Sequence, residues 1–191
     1  MSATLGPIHN WVFNKIKFQE KEIEALLQLE EGLNGKIDAE AGIVEKGELA
    51  EIIDIANIHG FLQMRINITE KRLALTVESL LSDGISLDKI KQTVKEFAES
   101  NCIDGDTGVQ KAYEYLNGLL VNGMPCDKVE TVIENSEYKI VYVENLDIHT
   151  QYWNNKETYQ VLKDVLIEGL LSKTNLSYSH EKAHEYVIEA K

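Results

Sequence analysis

Apolar residues recur along most of this chain at the three- and four-residue spacing of a helix, and the rhythm divides it into segments. Over 7–31, Ile8, Val12, Ile16, Ile23, Leu26 and Leu27 fall close to one face, with Pro7 in the first turn and Gly32 after the last. His9 shares that face with Val12, Phe13 and Ile16. Residues 32–47 carry four glycines and predict a connection with room for a short helix capped by Asp38. From about 48 to 82 the pattern predicts one long central helix. Ile52, Ile55, His59, Leu62, Ile66 and Leu73 form its stripe, and Leu49, Ile53 and Ala56 widen it. At about 1.5 Å per residue such a helix would run about 50 Å.

Shorter helices are expected in the second half. Ser86 caps one through about residue 100, with Leu87, Ile90, Val94, Phe97 and Ala98 inward. Asp106 or Thr107 opens the next, with Val109, Ala112, Tyr113, Leu116 and Leu120 inward. Asp127 is placed to cap a short helix to about Asn135. Residues 137–145, EYKIVYVEN, are β-branched and aromatic and predict a strand, paired with a neighbouring segment or across a dimer. Residues 145–155 read as a loop, and Asn155 caps a helix whose inner face is Tyr159, Leu162, Leu166 and Leu170. A last helix is expected from about Ser177, with His180, Ala183, His184 and Val187 on one face. The fold class is therefore mainly α: a helical bundle around a long central helix, about 48–82, with one small β element near 137–145. It reads as a single domain, with 1–82 as a helical hairpin and 83–191 as smaller helices and the strand.

Charge narrows the partners. Nineteen Lys and Arg against 32 Asp and Glu give a formal charge of −13, which repels phosphate backbones and anionic lipid surfaces. Neither a nucleic acid nor a membrane is expected as partner. The first residues lack a basic start followed by an apolar run, so no signal peptide is expected. Cys102 and Cys126 are too few for a disulfide framework and are not spaced as a metal pair, which suits a reducing cytoplasm.

The usual catalytic signatures are missing: no glycine-rich phosphate loop, no GxSxG, no HExxH, no CxxC. The DGD at 104–106 starts like a calcium loop, but Tyr115 stands where the twelfth-position Glu belongs. What departs from expectation is the histidines. Four of the five (His9, His59, His180 and His184) fall on faces that otherwise read as apolar. Imidazoles converging from facing helices suit a transition metal, Fe or Zn, or haem. The metal-ligand candidates are His59 as the central ligand, with His9 and the His180/His184 pair; Asp54, Glu70, Glu181 and Glu185 are possible oxygen donors. His9 and His59 come level only if the second helix starts near Asp38 rather than near 48. The bland alternative is that these are ordinary core and surface histidines. Two further readings stand beside the metal one. The chain is an interaction or regulatory protein acting as a homodimer or on a protein partner, or it holds a small molecule near His149, Tyr152 and Trp153, with His149 as a general base.

Overall fold

A computed structural model of the chain describes residues 4–182 and 184–191, with Glu181 described in its backbone alone. The molecule is mainly α with a four-stranded antiparallel sheet. Its helices are α1 (Pro7–Leu27), α2 (Leu33–Ala41), α3 (Leu49–Ile52), α4 (Ile58–Ser82), α5 (Leu87–Ser100), α6 (Val109–Leu119) and α7 (Lys156–Leu170). Its strands are β1 (Glu130–Asn135), β2 (Lys139–Glu144), β3 (Leu176–Lys182) and β4 (Glu185–Ala190), in the order β1-β2-β4-β3. Among the described residues no helix is long and apolar enough to cross a membrane.

The expected 48–82 helix is broken. Ile53 and Asp54 are extended, Asp54 Oδ1 accepts the Ala56 N–H to start a single 3-10 turn, and Asn57 Oδ1 accepts the Gly60 N–H to cap α4. Two short polar side chains thus offer the backbone an alternative to continuing the helix. Gly60 has its reason here: a Cβ would sit 2.3 Å from the Asn57 amide nitrogen, closing the space the cap occupies.

The first 82 residues do not form an up-and-down hairpin either. His9 lies against His59, Gln19 against Glu70 and Glu20 against Arg72, so α1 and α4 run side by side in the same direction. The chain returns between them along the outside of α4. Arg72 binds the Asp38 carboxylate and, at 2.7 Å, the Gly42 carbonyl; Lys71 Nζ donates to the Glu40 carbonyl; and Arg65 pairs with Glu45. Leu49 then buries itself beside Ile58, Phe61 and Leu62.

Two corrections concern β structure. The short helix expected up to Asn135 is strand β1, which forms a hairpin with β2; the pairing partner of 137–145 is therefore its neighbouring segment. The last helix expected from Ser177 is the β3–β4 hairpin. Its inward residues follow period two: Tyr186 and Ile188 are buried, while Glu185, Val187 and Glu189 are more open. The residues between the strands, including His184, carry helix-favouring neighbours that mask this alternation. Ala183 and the Glu181 side chain, both named above, lie outside the described residues.

The sheet presents Ile140, Tyr142, Tyr186 and Ile188 to α6 and α7, joining the main core of Leu26, Val77, Leu80, Ile90, Ala98, Leu116 and Ile167. A second cluster, Val12, Phe13, Ile16, Leu62 and Ile66, fills the space between the first halves of α1 and α4.

Candidate functional site

The inner face of α1 is not wholly apolar. Lys15, Gln19 and Glu22 follow one another at spacings of four and three, share a face, and are all buried. They line a hollow bounded by α1, α4, α6, α7, the first two strands and the loop before α7 and partly open to solvent. The inner chamber holds about 60 Å³, several times what a single water needs. Its walls include Leu116, Leu162 and Leu166 with the rings of Tyr142, Trp153 and Tyr159.

Four carboxyl groups reach it, and each has a different environment. Glu70 accepts from the Gln19 amide at 3.3 Å and meets His149 Nδ1 at 3.0 Å. Glu130 binds the Tyr113 hydroxyl and, at 2.8 Å, the Asn122 amide. Glu144 pairs with Lys163, and the Tyr186 hydroxyl donates to it at 3.0 Å. Burial, the largest single influence, pushes the Glu144 carboxyl upward, but the Lys163 ammonium together with His149 and the Tyr186 hydroxyl holds it below its usual range. Glu22 is the exception. It is 4% exposed and has no hydrogen-bond partner among the described residues. Burial, helped by the neighbouring Glu70, pushes it up to about 8, so it is mostly a neutral acid at pH 7.

On two residues of the wall, the Trp153 indole N–H and the Asn122 side-chain oxygen have no hydrogen-bond partner among the described residues, but both atoms are packed against protein and do not open onto the chamber.

An outer hollow of about 240 Å³ shares Tyr113, Asn117, Asn122 and Glu130 with the chamber and is lined by Trp11 and Lys15. Lys15 Nζ lies 3.7 Å from the centre of the Trp11 ring and donates to Asn117 at 3.2 Å. Burial pulls its ammonium down to about 8, opposed by Glu130.

The residues expected from sequence are divided by this geometry. His149 and Trp153 line the chamber, and His149 stacks on Tyr159 with ring centres 5.1 Å apart. Tyr152 packs on the core behind them. His9 and His59 do meet, with ring centres 5.6 Å apart, because the parallel arrangement puts both in first helical turns. His9 is buried and its Nδ1 accepts the Gly6 N–H at 2.9 Å, a reciprocal cap for α1 that places the neutral ring's proton on Nε2. His59, expected inside an apolar stripe, is exposed. His180 lies on β3, stacked on Tyr186 and 3.2 Å from Asp164. His184 is exposed in the turn with a φ of 65°, so the two do not share a helical face. Among the described residues no three His, Cys, Asp or Glu side chains group closely enough to hold a metal ion.

Sequence reasoning missed Glu22 and Gln19, and it offered Glu70 only as an oxygen donor. The signal was available: polar residues at helical spacing on the face that Val12, Ile16, Ile23 and Leu26 define. Comparison of the chain with protein-family models, curated protein sequences and solved structures finds no match.

Proposed function

We propose that the protein binds a small organic molecule in the chamber between α1, α4, α6, α7 and the sheet. The observation that carries this reading is Glu22, a carboxyl group that is 4% exposed, lines the chamber and has no hydrogen-bond donor among the described residues. A group of that kind favours a ligand, since a purely structural core would replace it with an apolar side chain at no loss. The mix of aromatic rings with few polar groups on the same wall, typical of ligand pockets, supports it.

The test is a thermal-shift screen of small metabolites sorted by charge, run on the wild type and on Leu120→Trp, which fills the chamber from α6's end. Compounds that stabilise the wild type and not the filled variant support the reading. A screen in which every stabilising compound acts equally on both contradicts it.

A second reading rests on the same site. Glu70 orients the His149 ring, as a general base requires, and Glu22 supplies a protonated acid in the same chamber. Conversion of a bound compound, lost in His149→Gln, separates catalysis from binding alone.

A further inference from the structure

We propose that the occupant is a compact organic cation, a protonated primary amine. The ammonium pairs with Glu22 beside Glu70, and the carbon chain lies against Tyr142 and Tyr159. This deepens the preceding proposal and rests on the chamber being a ligand site.

The charge on the walls selects the class. Glu22, Glu70, Glu130 and Glu144 all line the chamber, whereas Lys163, the one lysine among its described lining residues, is already paired with Glu144 and set over the Tyr186 ring. An anionic ligand in the chamber would meet these carboxyls, while Lys15, which pairs with no carboxylate among the described residues, lines the outer hollow instead. A hydrocarbon would leave the Glu22 carboxyl without a partner, at a cost. A cation removes the repulsion between Glu22 and Glu70, and a π-rich wall adds attraction for it.

The form of the cation follows from what is unsatisfied. Glu22 lacks donors, which a primary ammonium supplies and a quaternary one does not. The chamber's size, about 60 Å³, sets the limit at a few heavy atoms, with the outer hollow available for a longer chain.

The test uses ω-amino alcohols from ethanolamine to 5-aminopentanol, with diols of the same length as uncharged counterparts. Calorimetry is run at about pH 8.5, where the amines remain protonated. The expected result is that amino alcohols bind and diols of equal length bind at least tenfold more weakly, about the worth of a charge-assisted hydrogen bond. Glu22→Gln, nearly isosteric with the neutral acid, keeps the wild-type circular dichroism and loses roughly tenfold or more in amine affinity. Equal binding of diols and amino alcohols overturns the proposal, as does unchanged amine affinity in a folded Glu22→Gln. If uncharged compounds from the thermal-shift screen bind and no amine does, the cation assignment falls while the ligand site stands. If neither class binds there, both fall.

Discussion

His149 Nδ1 lies 3.0 Å from Glu70 Oε2, joining the loop before α7 to the middle of α4 across 79 positions of sequence. Both side chains are 4% exposed, and the other Glu70 oxygen holds Gln19 of α1. One carboxylate therefore ties three parts of the chain together beside the chamber. Removing one partner leaves the other buried without its bond, which typically costs about 3 kcal/mol. His149→Ala and Glu70→Ala should each destabilise by about that much. The double variant should lose less than the two combined, with a coupling of about 1 kcal/mol or more by urea denaturation. Additive losses would mean that the bond contributes nothing of its own.

Glu22 makes stability depend on pH with a definite sign. Its folded value, raised to about 8 from 4.5, means that the folded chain holds the proton more tightly than the unfolded one. The contribution of the protonated acid is whole below about 4.5 and is lost as pH rises to about 8. Glu22→Gln removes this dependence. The variant should therefore be more stable than the wild type at pH 8.5 by on the order of a few kcal/mol, the difference shrinking toward pH 5. Chemical denaturation of both proteins across that range measures it.

Gly169 sets how closely α7 lies on α5. A Cβ there would stand 2.5 Å from the Ala98 Cβ and 3.4 Å from the Lys95 carbonyl. Alanine is the better helix former by about 1 kcal/mol, so propensity alone favours Gly169→Ala. Overpacking should outweigh it, giving a net loss of roughly 1–2 kcal/mol and a lower Tm. A stabilised variant would show that the two helices separate freely.

Arg72 fastens the return segment to α4. Its side chain is 6% exposed and holds Glu20, Asp38 and the Gly42 carbonyl at once. Arg72→Met keeps much of the stem and removes all three bonds. Amide hydrogen exchange should then speed up over α2 and residues 42–46 before it does over α4 or α7. A uniform increase along the chain would mean that this segment does not open separately.

Much of the helical architecture is readable from local patterns. Ser86 caps α5 and Asn155 caps α7 as their side chains suggest, and the inner faces of α5, α6 and α7 follow the apolar spacing. What is not local is not legible. Nothing in residues 7–82 states that α1 and α4 run parallel, because the return path is fixed by contacts such as Arg72 to Asp38, 34 positions apart. That is why the levels of His9 and His59 could not be decided from helix lengths alone. The β3–β4 hairpin was hidden by helix formers near its turn, and β1 by a capping-type Asp127 just before it. At the site, His149 and Trp153 stand out in the sequence as an unusual loop. Glu22 and Gln19 looked like two among many polar residues, and only their place on α1's inner face distinguishes them.

The most direct test of the central claim is the indole region of a ¹H–¹⁵N NMR spectrum, since the chain has two tryptophans, Trp153 in the chamber and Trp11 at the outer hollow. On titration with 3-aminopropanol, the Trp153 N–H resonance should move in a saturable way in the wild type and stay still in Glu22→Gln. A Trp153 resonance that never moves, or movement confined to Trp11, would contradict a ligand in the chamber.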